Sequence, residues 1–299
     1  MEWIVLRNKW ASVKGHVLIL NRYSDVRFAE MCALDKIEFV VFADDVVRHN
    51  FSPIYKMDTI TSLDSVTDFR NQLKNKYQIS YLGHLFTTYE SPATYKFLEE
   101  WLLLNVNEVN HLNSTQMFSP PHVIVFDMDS TLITEEEEVR LRDPFIHESL
   151  DFLKRNNCVL CLWSYGERRH VVESLKKLNL YDYFLVVLSE GRKLGDYHFE
   201  DGLDTRYEIV YKSTPFYLNV QPHNLPKSPR VILHYLKEKG INFIKTITLV
   251  DDLHHNNIHY DNFVNLTRCP EPVQDWHVWH SEIVRYLKEY DCFHGDSCT

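Results

Sequence analysis

Two aspartates stand two positions apart just after an apolar run, and this spacing could support metal-assisted phosphoryl chemistry. The run His122–Phe126 is followed by Asp127, with Asp129 and Thr131 at the next alternate positions. In extended chain, alternate side chains face the same side, so both carboxylates point together. One could attack phosphorus and bind a metal while the other reaches the leaving oxygen. The same pattern also holds metals in nucleases and sugar transferases, and strands often end in solvated aspartates.

Three further groups have side chains that suit the same chemistry. Ser164 follows a second apolar run, Lys227 stands at a helix start, and the pair Asp251-Asp252 ends a third run. A hydroxyl, an ammonium and paired carboxylates can bind phosphate oxygens and a divalent cation. The aspartates, serine, lysine and acidic pair therefore form a candidate site only if the fold brings them together.

Each of these residues also has an ordinary structural explanation. Ser164 could be a turn residue at a strand end, and Lys227 could be a solvated lysine. Lys212 is a rival for the role of Lys227, which we favour because the stretch to Asp251 has room for one helix and one strand. Histidines beyond the acidic pair suggest zinc, but the chain has 16 histidines and the carboxylate site is complete without them.

The hydrophobic pattern predicts the elements that would position these side chains. Short apolar runs predict buried parallel strands, and apolar residues at helical spacing predict helices. The predicted order is strand 122–126, helix 147–156, strand 158–163, helix 167–179, strand 183–188, helix 227–239, strand 244–250, strand 262–266 and helix 278–290. Residues 189–226 are rich in turns and are expected to form a short hairpin insertion. Ligands bind at the carboxyl ends of parallel strands, where the candidate residues stand.

Residues 1–118 have α/β character but no recognisable catalytic pattern. We predict strands 16–20 and 37–42 and helices 62–77 and 93–109 there. The apolar stripe of helix 93–109 is more typical of a core, and a docking surface is the leading functional hypothesis. Asp44-Asp45 is interpreted as a solvated loop. A polar, proline-bearing segment then predicts a boundary. The predicted domains are a smaller α/β or mostly helical region, 1–118, and a second domain, 119–299.

Bulk composition excludes several classes of function. The net charge of −10 argues against a broad nucleic-acid-binding surface and makes a basic partner easier to accommodate. Six scattered cysteines without a regular framework predict reduced thiols in an intracellular setting. No targeting segment or membrane-length apolar run is evident, so we expect a soluble, unsecreted protein without membrane association.

The ordered set of motifs resembles the haloacid dehalogenase (HAD) superfamily of phosphatases over roughly residues 122–290. That superfamily has DxDx[TV] first, a strand-end Ser or Thr second, a Lys third and an acidic pair fourth. Here Asn256 also follows the acidic pair. The resemblance implies a HAD-like Rossmannoid parallel sheet with a flap and a short insertion. It also implies Mg²⁺-dependent hydrolysis of phosphoric monoesters through an aspartyl-phosphate.

The resemblance gives each candidate residue a role. Asp127 would be the nucleophile, and Asp129 would protonate the leaving oxygen and then deprotonate the attacking water. Mg²⁺ binding is implied for Asp127, Asp251, Asp252 and Asp129, the last through its backbone carbonyl. Phosphate binding is implied for Thr131, Ser164 and Lys227.

The surroundings of the first motif suggest the class of substrate. The acidic run Glu135–Glu138 is interpreted as a solvated flap, and its carboxylates would repel nucleic acid and favour a basic substrate. The stretch from Asp127 to Ser164 is too short for a folded lid domain. An open site suits a phosphorylated protein better than a small metabolite that must be shielded from water.

The whole chain is similar to a baculoviral family of HAD-type phosphatases required for nucleocapsid assembly, which has an Asp-Met-Asp-Ser-Thr first motif and a Val-Asp-Asp fourth motif. The resemblance implies a phosphorylated, arginine-rich DNA-packaging protein as substrate and other nucleocapsid proteins as partners. It also implies residence in the host nucleus and the virion. The acidic charge balance predicts no direct binding to nucleic acid. The alternative is a structural component of the nucleocapsid assembly that uses the HAD fold as a scaffold.

Overall fold

The computed structural model describes residues 1–43, 54–88, 101–113, 119–189 and 227–295. The chain divides into two compact units, Met1–Pro120 with Leu233–Lys245 and Pro121–Ile232 with Thr246–Thr299. The Asp44-Asp45 pair, residues 93–100 of the predicted helix, Lys212 and residues 190–226 of the predicted insertion lie outside the described residues. The division into domains 1–118 and 119–299 stays a prediction.

The first unit contains a mixed sheet. Its strands are β1 (Glu2–Asn8), β2 (Val17–Leu20), β3 (Phe39–Phe42), β4 (Tyr55–Thr61), β5 (Leu85–Thr87) and β6 (Leu103–Asn105), in the order β4-β1-β3-β2-β5-β6. Strand β1 is antiparallel to β3 and β4, whereas β2 is parallel to β3 and β5, and β5 is parallel to β6. Every residue of β2 and β3 is buried, as expected for strands covered on both faces. This region is therefore α/β and not mostly helical.

In the part of the first unit that the structure describes, two α-helices lie wholly within the unit, α1 (Met31–Leu34) and α2 (Val66–Tyr77). Helix α2 begins after Ser65, whose side chain accepts from the backbone N–H of Asp68, and ends at Gln78 in the left-handed conformation (φ 54°). The helix predicted over residues 62–77 is confirmed with a later start.

The helix predicted over residues 93–109 is wrong for its described part. Strand β6 pairs with β5, and a 3₁₀ helix, Val106–His111, follows it. Asn105 caps this turn: its side chain accepts from the backbone N–H of Asn107 (2.9 Å), and Glu108 accepts from the backbone N–H of Asn105 (3.0 Å). Strand pairing and the cap outweigh the helical spacing of the apolar residues.

The second unit contains a parallel sheet. Its strands are β7 (His122–Phe126), β8 (Cys158–Trp163), β9 (Val186–Leu188), β10 (Ile247–Asp251) and β11 (Asn262–Asn265), in the order β11-β10-β7-β8-β9. All neighbouring pairs are parallel. Numbered within the unit and read from β9, this is the Rossmann order 3-2-1-4-5. The predicted fold class, an α/β protein with a Rossmannoid parallel sheet, is confirmed.

The remaining helices are α3 (Ile146–Arg155), α4 (Arg168–Lys177), α5 (Pro229–Glu238) and α6 (Trp276–His294). They match the predicted helices apart from a few residues at their ends, where boundaries are least defined. Strands β7, β8 and β10 are buried at every position. Among the described residues, no helix has both the length and the apolar character needed to cross a membrane.

Among the cysteines that the structure describes, one departs from expectation. Cys32, Cys158, Cys161 and Cys269 are not in a disulfide, but Cys292 in α6 is disulfide-bonded. The prediction of reduced thiols is therefore wrong at Cys292. It rested on the lack of a regular cysteine spacing, which does not exclude a single bridge.

Candidate active site

The candidate site lies at the carboxyl ends of β7 and β10, where the strand order reverses. From β7 the chain continues to β8 on one side, and it later reaches β10 on the other side. Open α/β sheets bind ligands in the crevice at such a switch point. Asp127 follows β7 directly, and its backbone N–H donates to the Val250 carbonyl (2.9 Å). Asp251 is the last residue of β10, so two buried strands hold these two carboxylates at adjacent positions of the sheet.

Three aspartates form what we call the carboxylate cluster. Asp127, Asp251 and Asp252 each offer one oxygen, and these oxygens lie within 4.8 Å of one another. Lys227, just before α5, donates from Nζ to Asp127 Oδ1 and to Asp251 Oδ2, the latter at 2.7 Å. Lys227, Asp127 and Asp251 are all buried. Because a buried charge is costly unless paired, the ammonium stabilises both carboxylates in this position.

Asn256 and the backbone hold Asp251 from a second direction. Asn256 Nδ2 lies 3.1 Å from Asp251 Oδ1 and 3.0 Å from Oδ2, and the Leu253 N–H donates to Oδ1 (2.7 Å). The Tyr165 hydroxyl donates to Asn256 Oδ1 (3.4 Å), and its ring centroid lies 5.0 Å from Lys227 Nζ. Asn256 thus orients one member of the cluster, and Tyr165 joins Asn256 to the buried lysine.

Burial and neighbouring charge shift the pKa values of this group. Burial is the main cause that raises the pKa of Asp127 to about 7; the Lys227 ammonium opposes this shift, and Asp251 and Asp252 add to it. Burial lowers the pKa of Lys227, but its two carboxylate partners outweigh burial and raise it. The shift of Asp127 favours a neutral acid, whereas that of Lys227 favours a charged pair. An ammonium that donates to two carboxyl groups stays charged when at least one of them is ionised, so Lys227 is a cation in this cluster.

The donor set of the cluster fits Mg²⁺. Hard divalent cations prefer carboxylate and carbonyl oxygens, and the cluster offers oxygen atoms only. The Asp129 side chain is not part of this group. The predicted metal contact of Asp129 is through its backbone carbonyl, and that contact stays a prediction. Among the described residues, His254, His255 and His259 are not part of it either.

Asp129 is held by side chains that follow β8. Ser164 comes directly after β8, and its Oγ donates to Asp129 Oδ2 (2.9 Å). His170, in the first turn of α4, lies with Nε2 2.6 Å from Asp129 Oδ1. The Gly166 N–H donates to Ser164 Oγ (2.9 Å). Both oxygens of Asp129 therefore have a hydrogen-bond partner.

Thr131 lies in the tight turn that follows Asp129. Ser130 has a left-handed backbone (φ 60°), and the Thr131 N–H returns to the Met128 carbonyl (3.3 Å). Thr131 is fully buried, and its hydroxyl has no hydrogen-bond partner within the described part of the chain. A buried hydroxyl without a partner is costly and needs an explanation, such as a ligand or water. The predicted phosphate contact of Thr131 stays a prediction.

The flap, residues 134–141, extends from a bridge between Ile133 and Leu141. Within the described residues, three ion pairs involve its acidic run: Arg268 with Glu135, Arg140 with Glu136 and Lys177 with Glu138. Arg142 at its base is buried and donates to both oxygens of Asp275 (2.6 and 2.8 Å) and to the Thr267 carbonyl (2.8 Å). The base of the flap is thus fixed by a buried guanidinium, and its tip by exposed or partly exposed charges.

The sequence-predicted residues fall into two sets. Asp127, Lys227, Asp251 and Asp252 lie in or against the carboxylate cluster, whereas Asp129 and Ser164 form a separate hydrogen-bonded pair. Sequence reasoning assigned no role to His170 or Tyr165. A single histidine among 16 gives no signal, although the first turn of the helix after Ser164 is the place to look for such a partner.

Comparison with known proteins identifies the family. A family model described as "Protein of unknown function (DUF705)" matches residues 1–294. The chain belongs to this family. It is 52% identical over 294 residues to an uncharacterized 41.0 kDa protein of Cryptophlebia leucotreta granulosis virus, covering 97% of this chain and 85% of that protein. Over 310 residues it is 38% identical to an uncharacterized 38.0 kDa protein of Autographa californica nuclear polyhedrosis virus, covering 97% and 96%.

A third viral relative and one solved structure are also similar. An uncharacterized 36.0 kDa protein of Orgyia pseudotsugata multicapsid polyhedrosis virus is 37% identical over 309 residues, covering 100% of this chain and 99% of that protein. The crystal structure of a putative beta-phosphoglucomutase from Thermotoga maritima covers 56% of this chain and 99% of its own, with 14% identity and a TM-score of 0.34.

Proposed function

We propose that this member of the DUF705 family is a Mg²⁺-dependent phosphoprotein phosphatase of the HAD type that acts through an aspartyl-phosphate on Asp127. The observation that carries the proposal is the carboxylate cluster around the buried Lys227 at the switch point of the sheet. Phosphoryl transfer depends mainly on positioning and on neutralising charge. A carboxylate nucleophile beside a cation site and an ammonium meets both needs.

In the first step, a carboxylate oxygen of Asp127 attacks the phosphorus of the phosphoserine or phosphothreonine. The bond between phosphorus and the side-chain oxygen breaks, and Asp129 gives that oxygen its proton. Lys227 and Thr131 bind the other phosphate oxygens, and Ser164 joins them when its O–H turns from Asp129 to the phosphate. When held by Asp127, Asp251, Asp252 and the Asp129 carbonyl, Mg²⁺ supplies positive charge that offsets the charge of the transferring group.

In the second step, water attacks the phosphorus of the aspartyl-phosphate. Asp129, now ionised, takes the proton of that water. The bond between phosphorus and Asp127 breaks, which releases inorganic phosphate and restores both carboxyl groups. Splitting the hydrolysis in this way replaces one difficult displacement by two easier ones.

The proposed substrate is a phosphorylated basic DNA-packaging protein, acted on during viral nucleocapsid assembly. The baculoviral relatives, the net charge of −10 and the acidic flap beside the first motif support this proposal. Other nucleocapsid proteins are the proposed partners, and the host nucleus and the virion nucleocapsid are the proposed locations. Direct binding to nucleic acid is not part of the proposal.

Phosphate release from a basic phosphoserine peptide tests the activity. Wild-type protein with Mg²⁺ should release phosphate, and EDTA should stop the release. Asp127→Asn keeps the size of the side chain but removes the nucleophilic carboxylate, so turnover should fall at least about a thousandfold. The matched control is Asp182→Asn. Asp182 is exposed and precedes β9, so it lies where that strand begins and not at the carboxyl ends of the strands.

The outcomes separate an enzyme from a scaffold. Folded wild-type protein that releases no phosphate from basic or acidic phosphopeptides would favour the structural component of an assembly. Undiminished turnover by Asp127→Asn would remove the nucleophile assignment. A higher kcat/KM for the acidic peptide than for the basic one would reject the proposed substrate class but leave the chemistry intact.

A further inference from the structure

The Asp129 carboxylate is held by two side chains that reach it from different elements. Ser164 follows β8, and its Oγ donates to Asp129 Oδ2 (2.9 Å). His170 lies in the first turn of α4, and its Nε2 is 2.6 Å from Asp129 Oδ1. A hydrogen bond at each of the two oxygens restricts the rotation of the carboxyl group. The two partners therefore fix one orientation of this carboxylate.

Asp129 needs such partners more than the carboxylate cluster does. Asp127 and Asp251 are buried and bonded to Lys227, so packing and charge restrict them. The side chain of Asp129 is 40% exposed, and that of His170 is 38% exposed. A half-exposed aspartate without partners would sample several rotamers, and a displacement of about 1 Å can cost about a hundredfold in rate.

The backbone between the two partners is packed closely against them. A Cβ added at Gly166 would lie 3.0 Å from His170 Cδ2, 3.1 Å from Ser164 Oγ and 3.3 Å from Asp129 Oδ2. The Gly166 N–H also donates to Ser164 Oγ (2.9 Å). A side chain at position 166 would therefore require these neighbours to shift by a few tenths of an ångström.

We infer that His170 is a positioning residue, which orients Asp129 for protonation of a poor leaving group such as a serine or threonine alkoxide. The inference rests on the proposed function and deepens it, because it assigns the site to alkyl phosphates. The bond to His170 holds Asp129 Oδ1. The oxygen oriented for the proton transfer is therefore Oδ2, on the Ser164 side. An aryl phosphate whose phenolate leaves as an anion has little need of this transfer, and its rate depends less on His170.

The test compares kcat/KM for a phosphoserine peptide with kcat/KM for p-nitrophenyl phosphate. This quantity covers the steps up to loss of the leaving group, so the later hydrolysis of the aspartyl-phosphate does not affect it. The variants are His170→Phe, which keeps a ring but removes the N–H, and His170→Gln, which can place a donor near the original Nε2. The control is His277→Phe, at an exposed position of α6.

In His170→Phe, the ratio of kcat/KM for p-nitrophenyl phosphate to that for the peptide should rise about tenfold or more, since a general acid contributes about 10²–10⁴-fold. His170→Gln should restore at least part of the ratio, and His277→Phe should leave it unchanged. An unchanged ratio in a folded, active His170→Phe protein, judged by its melting curve, would overturn the inference alone. Loss of all turnover in the wild type would instead reject the proposed function.

Discussion

At the scale of single residues, Lys227 is a buried cation with two carboxylate partners, Asp127 and Asp251. Replacing it by methionine keeps much of the side-chain volume but leaves two acids buried without an opposite charge. Removal of one partner of a buried ion pair costs about 3–5 kcal/mol. We expect Lys227→Met to lower the free energy of unfolding by about that amount in urea at neutral pH, without Mg²⁺.

The control for this prediction is Lys177→Met. Lys177 pairs with Glu138 at 3.3 Å, but their side chains are 45% and 87% exposed. An exposed pair contributes about 0–1 kcal/mol, so this variant should remain close to the wild type. Equal stability of the two variants would mean that Lys227 does not stabilise the acids around it. Added Mg²⁺ should stabilise Lys227→Met more than the wild type, because a bound cation replaces part of the lost charge.

At the scale of elements, β2 and β5 of the first unit are linked by two buried histidines. The backbone N–H of His84 donates to His16 Nδ1 (3.1 Å), and the ring nitrogen Nε2 of His84 lies 2.9 Å from Asn242 Oδ1. Burial, with the His84 charge as a second cause, lowers the pKa of His16 to about 3. Burial is also the main cause that lowers the pKa of His84 to about 4, with Lys237 adding to it and the Asn242 bond opposing it. Both rings are therefore neutral in the folded protein at physiological pH.

This linkage predicts a loss of stability in mild acid. Unfolded histidine takes up a proton near pH 6.5, whereas the folded rings do so only near pH 4 and 3, so protons favour the unfolded chain in between. Stability is complete above pH 6.5 and falls below it, by roughly 2 kcal/mol per ring at pH 5. His84→Gln keeps a donor for Asn242 but cannot titrate. Its urea unfolding should therefore lose roughly 2 kcal/mol less than the wild type between pH 7.5 and pH 5. An equal loss in both proteins would contradict the assignment, and His277→Gln is the exposed control.

The elements that the sequence predicted correctly are those with an unbroken local signal. Strands β7, β8 and β10 are continuous apolar runs because both faces are covered, and α2 has a serine cap and helical spacing. Strand β4 was missed because it is an edge strand and most of its residues are exposed or half-exposed. Strand β6 was mistaken for helix because its only support is pairing with β5, which no local pattern encodes.

The residues of the candidate site also divide into those that a local sequence pattern predicts and those that it does not. The four motifs could be read from the sequence because each ends a strand or begins a helix. Their hydrogen-bond partners, His170 and Tyr165, could not, since these contacts depend on the angle at which α4 and the loop after β8 meet the sheet. The separation of the Asp129 side chain from the carboxylate cluster could not be predicted either, because the spacing of residues along the sequence does not reveal it.

At the scale of the whole molecule, the first unit is discontinuous in sequence. Residues 233–245 belong to it, and they supply Asn242 to His84 and Phe243 to His16, whose ring centroids lie 4.8 Å apart. Ile244 also pairs with Leu82 in an isolated bridge. A fragment of residues 1–120 would expose the apolar surface under Phe243 and leave a buried ring nitrogen of His84 without its partner.

We therefore expect the full chain to unfold cooperatively and the fragment 1–120 to lack cooperative unfolding. Circular dichroism during urea titration and the dispersion of amide signals in an NMR spectrum measure this difference. Adding a peptide of residues 233–245 should restore order in part, whereas a scrambled peptide of the same composition should not. A fragment that is fully folded without the peptide would show that these residues are dispensable for the first unit.

The flap combines charges that respond differently to ionic strength. Added salt screens exposed charges over about 10 Å at 0.1 M and less at higher concentration, but it affects buried pairs little. The pairs at Glu136 and Glu138 are partly or largely exposed, whereas the guanidinium of Arg142 is fully buried against Asp275. Concentrated electrolyte should thus loosen the tip of this loop while its base stays attached. Changes in local motion would then appear well before any change in the melting temperature.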